Sequence, residues 1–101
     1  MQEVVEFDPV QLRAAAGLLT SLASEPRLRV LCRLREGEAS VGELALQCGL
    51  SQPAMSQQLK RLRDAGLVRT RRQGQTILHG IASPEAEAVL DVLYKLYCSG
   101  R

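Results

Sequence analysis

Three cysteines and a single histidine are the side chains of this sequence best suited to covalent or metal chemistry. A thiolate attacks sulfur electrophiles and binds soft metal ions, so Cys32, Cys48 and Cys98 are candidates for redox chemistry. A cysteine enzyme would also need a positioned base, and His79 is distant in sequence from each thiol. We therefore expect neither an enzyme nor a bound cofactor.

A second chemical signal lies in a stretch rich in serine and glutamine, which reads GLSQPAMSQQLKRL from Gly49 to Leu62. Met55, Leu59 and Leu62 recur at helical spacing and turn inward, which leaves glutamine, serine, lysine and arginine on the outward face. Glutamine pairs with adenine through two hydrogen bonds, serine contacts bases or phosphates, and the cations neutralise the DNA backbone. A solvated surface helix is the alternative that this face alone leaves open.

Charge is uneven along the chain, although the net charge is only +2. Asp64 is the single acid between positions 60 and 72. The same interval holds the cations Lys60, Arg61, Arg63, Arg69, Arg71 and Arg72. Such a local basic patch attracts phosphate, although a solvated surface would show the same run.

Composition limits the class of protein. With 46% apolar and 24% charged residues, the sequence predicts one compact domain over residues 1–101. It has no apolar run of the roughly 20 residues that a membrane span needs, and its start has no signal-peptide pattern. We therefore expect no membrane contact and a cytoplasmic location.

Caps and breaks divide the chain into five helices and one strand pair. Asp8 followed by Pro9 is typical of a helix start, and Ser40 and Glu43 have the spacing of a capping box. The predicted elements are a helix over 8–23, a second that begins at 24–26 and stops at Gly37, a short third over 40–48, a fourth over 52–65, a hairpin over 67–81 with Gly74 at its tip, and a last helix over 84–98.

The two helices over 40–65 and the glycine turn between them predict a helix-turn-helix, and the basic hairpin over 67–81 predicts a wing. The expected fold class is thus mainly α with a small β-hairpin, a winged helix-turn-helix. The expected partner is double-stranded operator DNA. The residues expected to contact it are Ser51, Gln52, Ser56, Gln57, Lys60, Arg61, Arg71, Arg72 and Gln73.

The last helix carries apolar side chains over more than one stripe: Val89, Leu90, Val92, Leu93, Leu96 and Tyr97. A helix that is apolar over so much of its circumference needs a second surface to bury it. A second copy of the chain is the simplest supplier, so we expect a homodimer.

The run from Leu22 to Ile81 resembles the ArsR family of dimeric winged-helix repressors. The motifs that carry the resemblance are EPRLRVL, SVGELA and LSQPAMSQQLKRLRDAGLV. The resemblance implies a homodimer built on the helices over 8–23 and 84–98. It also implies that the dimer binds an operator palindrome and that an inducer releases the DNA.

Two metal sites recur in this family, and neither has its ligands in this sequence. Ser40 and Gly42 stand where the Cys-x-Cys pair of the third helix would be, and Asp91 on the last helix has no histidine near it. Because Zn²⁺ needs about four ligands, we expect no metal. A metal or another small ligand at an unconventional site remains an alternative.

Cys32 and Cys98 resemble the two-thiol layout of a branch of the family that senses reactive sulfur species. The resemblance implies a repressor that binds DNA when reduced and is released when a disulfide or polysulfide bridges the two thiols. A general thiol-oxidation sensor is a further alternative. From the residues alone, Cys32 is expected to face inward, Cys48 to lie in the core, and His79 to be structural or close to DNA.

Overall fold

The computed structural model describes residues 6–98; the ends of the predicted 1–101 domain, residues 1–5 and 99–101, lie outside them. In this range the elements are α1 (Pro9–Leu22), α2 (Glu25–Arg35), α3 (Val41–Cys48), α4 (Gln52–Asp64), β1 (Val68–Gln73), β2 (Thr76–Ile81) and α5 (Pro84–Tyr97). The predicted fold class, mainly α with a small β-hairpin, is confirmed.

Capping side chains define where α1 and α3 begin. The Gln11 N–H donates to Asp8 Oδ1 at 2.8 Å, and the Asp8 N–H donates back to Gln11 Oε1 at 3.2 Å. Ser40 and Glu43 form the same reciprocal pair at the start of α3, at 3.2 and 3.1 Å. A cap of this kind contributes about 1 kcal/mol to helix stability. Both capping pairs lie within four consecutive residues, so the sequence alone could predict where these helices begin.

The core is aliphatic and lies where α2, α3, α4 and α5 meet the base of the hairpin. Its fully buried side chains are Val30, Leu31, Leu44, Met55, Leu59, Leu62 and Leu90. Burial of each contributes roughly 1.5 to 3 kcal/mol. This core holds α4 against α3 and fixes the helix-turn-helix as one body.

The hairpin is antiparallel, with Val68 opposite Ile81 and Gln73 opposite Thr76. A two-residue turn joins its strands, and Gly74 adopts a φ of 63°, which favours glycine. At its base the connection between α2 and α3 pairs with β2, because Ala39 and His79 exchange backbone hydrogen bonds of 3.1 and 2.8 Å. The hairpin is therefore tied to the helical core at its root and projects at its tip.

Apolar side chains on α1 and α5 stay exposed in a single copy of the chain. They are Val10, Leu12 and Leu19 on α1 and Val92, Leu96 and Tyr97 on α5, each more than half exposed. Large apolar side chains exposed in this number on two helices are typical of an interaction surface. Within residues 6–98, none of the helices has the length and apolar character needed to cross a bilayer.

Candidate DNA-binding surface and thiol site

The turn between α3 and α4 sets the angle at which α4 is presented. Gly49 ends α3 with φ 71° and ψ 32°, a left-handed conformation that strains any other residue type. The Leu50 N–H donates to the Ala45 carbonyl at 2.9 Å, and Ser51 caps α4 by accepting from the Ala54 N–H at 3.2 Å. The turn is therefore a defined, hydrogen-bonded joint.

The outward face of α4 has the polar character that the sequence predicts. Met55, Leu59 and Leu62 are at most 1% exposed, which fixes the rotation of the helix about its axis. The predicted DNA-contacting residues Ser51, Gln52, Ser56, Gln57, Lys60 and Arg61 are all exposed. A rigid helix thus carries amide, hydroxyl and cationic groups side by side on one surface.

Two of these side chains have neighbours that the sequence did not predict. Gln52 lies against the first turn of α3, since a Cβ built on Gly42 would stand 3.3 Å from Gln52 Nε2. Lys60 forms an ion pair with Asp64 at 2.9 Å. The Gly42 position therefore leaves room for the Gln52 amide close to the α3 backbone.

Glu38 is a wing residue that sequence reasoning missed. It lies in the connection before α3, and its carboxylate accepts from Arg69 Nη1 at 2.6 Å and from Arg71 Nε at 2.7 Å. These bonds from Arg69 and then Arg71 hold the pKa of Glu38 below its ordinary value. Because the partners are 31 and 33 residues away, no local pattern could have revealed the contact.

The Arg69 side chain is seated over a glycine of the opposite strand. A Cβ built on Gly80, its partner in the hairpin register, would lie 3.0 Å from three atoms of the Arg69 guanidinium. Arg71, Arg72 and Gln73 are exposed toward the tip of the hairpin. Glu38 thus holds Arg69 and Arg71, and the exposed Arg72 and Gln73 lie nearer the tip of the wing.

Cys32 and Cys98 line one cavity. Cys32 lies in the last turns of α2 and Cys98 caps the end of α5, and both are free thiols. The cavity measures about 360 Å³ and has a mainly aliphatic and aromatic wall. The remaining lining residues are Leu28, Arg35, Glu36, Leu90, Leu93, Tyr94 and Tyr97.

The expectation that Cys32 faces inward is wrong, because the residue is exposed in a single copy of the chain. Leu31 beside it is fully buried, so Cys32 lies at the border of the apolar stripe and points toward the end of α5. The pKa of the Cys32 thiol lies above its ordinary value, first because the thiol is partly buried and then because a thiolate at Cys32 would be repelled by one at Cys98 and by Glu36. Arg35 opposes this rise without reversing it.

Arg35 connects the two helices that carry these thiols. Its Nε donates to Asp91 Oδ1 at 2.6 Å, and its guanidinium carbon lies 4.4 Å from the centre of the Tyr94 ring. The hydrogen bond to Asp91 is the main reason that the pKa of Arg35 rises above its ordinary value. The ion pair joins residues 56 positions apart and was also not predicted.

The other two candidates for chemistry are structural. His79 is buried at the root of the wing, where its Nδ1 lies 3.4 Å from the Ala39 carbonyl, and burial lowers its pKa. Cys48 is buried in the core, as expected, and burial raises the pKa of its thiol. Within residues 6–98, no three His, Cys, Asp or Glu side chains cluster as a metal site would require.

Comparison with known proteins shows relatives over most of the chain. The model of the bacterial regulatory protein arsR family matches residues 24–70. The transcriptional activator HlyU of Vibrio cholerae is 46% identical over 84 residues, which are 83% of this chain and 78% of HlyU. The biofilm growth-associated repressor of Xylella fastidiosa is 43% identical over 84 residues, 83% of this chain and 74% of the repressor.

Solved structures of related proteins have the same fold as this chain. HlyU from Vibrio cholerae N16961 has a TM-score of 0.86 at 42% identity, covering 91% of this chain and all of that one. Reduced HlyU from the same strain has a TM-score of 0.82 at 44% identity, covering 87% and 93%. The winged helix-turn-helix DNA-binding domain of Mb0332 from Mycobacterium bovis, described as homodimeric, has a TM-score of 0.78 at 26% identity, covering 95% and 89%.

The relatives are transcriptional regulators with DNA-binding domains and not enzymes. This agrees with the expectations from the helix-turn-helix and from the missing catalytic base. The resemblance noted in the sequence is confirmed, and the chain belongs to the arsR family of bacterial DNA-binding transcriptional regulators.

Proposed function

We propose that this chain is a dimeric, cytoplasmic repressor that binds an operator when reduced and releases it when Cys32 and Cys98 become bridged in response to reactive sulfur species. The observation that carries the proposal is the cavity that these two thiols share, one on α2 and the other at the end of α5. A bridge across it would link α2, which packs in the core, to α5, which exposes Val92, Leu96 and Tyr97.

The DNA half of the proposal rests on the outward face of α4 and on the tip of the wing. Ser56 and Gln57 read base edges in the major groove, where a good two-bond contact is worth roughly 1 to 3 kcal/mol of discrimination. Ser51, Gln52, Lys60 and Arg61 fix the register on the phosphates, and Arg71, Arg72 and Gln73 reach the backbone or adjacent minor groove. All nine side chains are exposed, which supports these roles.

The dimer is proposed from the apolar faces of α1 and α5. Leu12, Leu19, Leu96 and Tyr97 are between 58% and 72% exposed, which is a large apolar area for a single copy to leave in water. A symmetric pair would bury α1 and α5 against their equivalents and present two α4 helices to successive major grooves, about 34 Å apart. The homodimeric description of the Mb0332 domain is consistent with this arrangement.

The sensing chemistry needs an oxidant with transferable sulfur. A Cys32 thiolate attacks the outer sulfur of an organic persulfide, so that a new S–S bond forms and the organic thiolate leaves. Cys98 then attacks the inner sulfur of the Cys32 persulfide and expels hydrosulfide, which leaves a disulfide. Further persulfide molecules lengthen the bridge by one sulfur atom each, and each one leaves as a thiol. The two cysteines are oxidised and the persulfide is reduced.

Release of DNA follows from a change in the attachment of α5. Because α5 belongs to the proposed dimer interface, a covalent link to α2 would favour a dimer whose two α4 helices no longer match the operator spacing. The bridge would thus act by shifting the equilibrium between two shapes of the dimer. It can do so only if it is more stable in one shape than in the other. One of the similar structures is that of reduced HlyU, which is consistent with a redox distinction among relatives.

The test is the intact mass of fully reduced protein after exposure to cysteine persulfide, followed by DNA binding of the product. We expect the mass to fall by two hydrogens if a disulfide forms, and to rise in addition by one or more sulfur atoms if a polysulfide forms. The bridged product should bind DNA more weakly, and dithiothreitol should restore binding. Cys32→Ser and Cys98→Ser should each abolish the bridge, whereas the matched control Cys48→Ala should retain it.

Three results would contradict the proposal, each in a different part: the bridge, the oxidant that forms it, or its effect on DNA binding. An unchanged mass, or equal adducts in all variants, removes the sulfur sensor and leaves a regulator with another signal. A bridge that forms equally fast with hydrogen peroxide supports a general thiol-oxidation sensor instead. A bridge with no effect on DNA binding removes the proposed switch.

A further inference from the structure

Arg35 lines the same cavity as the two thiols. Arg35 follows Cys32 by three residues on α2, and Tyr94 precedes Cys98 by four on α5, so each pair occupies one face of its helix. The contacts of Arg35 with Asp91 at 2.6 Å and with the Tyr94 ring at 4.4 Å therefore bring together the helix faces that carry the thiols.

We propose that Arg35 is the positioning residue of the thiol site: it docks α5 on α2, and its charge is shared between the Asp91 carboxylate and the Cys32 thiolate. The importance of this role for signalling rests on the proposed sulfur bridge. The assignment of Arg35 itself is independent of that bridge, because it concerns the reduced protein.

The geometry of a guanidinium allows this sharing. The bond to Asp91 uses the Nε–H, which is one of five N–H donors arranged in a rigid plane. The guanidinium carbon also lies over the Tyr94 ring, 4.4 Å from its centre, and donors other than the Nε–H remain for a second anion. The Arg35 side chain is only 27% exposed, so water screens its charge less than that of a fully exposed side chain.

The pKa of Cys32 lies above its ordinary value, and Arg35 is the neighbouring cation that limits this rise. From α5 the cavity presents Cys98, Tyr94 and Tyr97, with Asp91 behind Arg35; from its own end of α2 it presents Arg35 and Glu36. Burial, Cys98 and Glu36 all raise the pKa of Cys32, and Arg35 is the group that lowers it. A thiolate at Cys32 thus depends on how much of the Arg35 charge Asp91 retains.

Two substitutions should shift the reactivity of Cys32 in opposite directions. Arg35→Gln removes the cation, so the thiolate becomes less favourable. Asp91→Asn removes the competing carboxylate and releases Arg35 toward Cys32, so the thiolate becomes more favourable. A residue that only holds the fold together would give shifts of the same sign in both variants, because either change breaks the same ion pair.

The experiment is alkylation of the full-length reduced protein with iodoacetamide between pH 6 and 10, with peptide mass mapping to follow Cys32 alone. At neutral pH we expect Arg35→Gln to slow alkylation about threefold or more and Asp91→Asn to accelerate it by a similar factor. Arg35→Lys, which keeps the charge, should recover most of the wild-type rate. The matched controls are Arg29→Gln, which breaks the 3.5 Å ion pair with Glu25 on the same helix, and Glu87→Gln on α5.

The proposal is overturned if Arg35→Gln and Asp91→Asn move the profile in the same direction, or if Arg35→Gln behaves like Arg29→Gln. Thermal unfolding of every variant identifies one that has failed to fold, and Arg35→Lys then carries the test with Asp91→Asn. The opposed shifts together with no bridge after persulfide treatment would support Arg35 and remove the proposed function. A bridge without the opposed shifts would support the function and overturn the role of Arg35.

Discussion

Neutralising Glu38 should make DNA binding stronger at low salt and more sensitive to salt. Each wing carries three arginines, Arg69, Arg71 and Arg72, and the Glu38 carboxylate binds the first two at 2.6 and 2.7 Å. Glu38→Gln removes one negative charge per wing and releases Arg71, whose side chain is already half exposed. The change is electrostatic, and an exposed ion pair of this kind contributes little to folding.

The size of the effect follows from counterion release. Each additional positive charge that neutralises phosphate steepens the slope of log affinity against log salt by about 0.9. Glu38→Gln leaves one more arginine charge uncompensated in each wing, so the two wings of the proposed dimer add about 1.8. Between 50 and 200 mM salt, the variant should therefore lose about tenfold more affinity than the wild type. Fluorescence anisotropy with a labelled duplex of arbitrary sequence measures this slope, since non-specific binding is almost wholly electrostatic.

Glu36→Gln is the matched control for the charge change, since Glu36 is exposed and lies two positions before Glu38 in the chain. Its salt slope should stay close to that of the wild type. A Glu38→Gln slope equal to or shallower than the wild-type slope would refute the reasoning. It would mean either that the wing does not approach phosphate or that the clamp on Arg69 and Arg71 is needed to aim it.

Two further predictions concern the reading face and the root of the wing. Gln57→Ala should flatten the sequence preference found by selection from random duplexes, whereas Arg72→Ala should weaken binding to all sequences alike; an unchanged preference in Gln57→Ala would show that α4 reads DNA through other residues. Burial lowers the pKa of His79 below 6.5, so the unfolded chain binds this proton first and stability falls as pH drops below about 6.5. Urea unfolding at pH 7.5 and 5.5 should show a smaller loss in His79→Gln, and equal losses in both proteins would contradict this.

Local signals in the sequence were enough to predict the elements of the fold. Asp8, Ser40 and Ser51 each cap a helix by accepting a hydrogen bond from the N–H three residues later. Four consecutive residues are therefore enough to predict where each of these helices begins. The repeat of Met55 and Leu59 gave the rotation of α4 because only one face of that helix is buried. These features are short-range, and the structure has them where they were expected.

Contacts between distant segments could not be predicted from the same patterns. The bonds of Glu38 to the wing and of Arg35 to Asp91 join residues 31 to 56 positions apart, and their geometry depends on how whole elements pack. The error at Cys32 has a related cause. Helical spacing identifies a stripe through Leu28 and Leu31, but only the packing of α5 decides how far cover extends beyond that stripe.

The segment of chain between the two cavity thiols contains the helix-turn-helix and the wing. Cys32 and Cys98 are 66 residues apart, and α3, α4 and both strands lie between them. Joining these ends closes a loop in the unfolded chain, and a loop of this length lowers the entropy of the unfolded state enough to stabilise the folded form by about 4 kcal/mol. In the proposed switch, the form released from DNA would then also be the form that is harder to unfold.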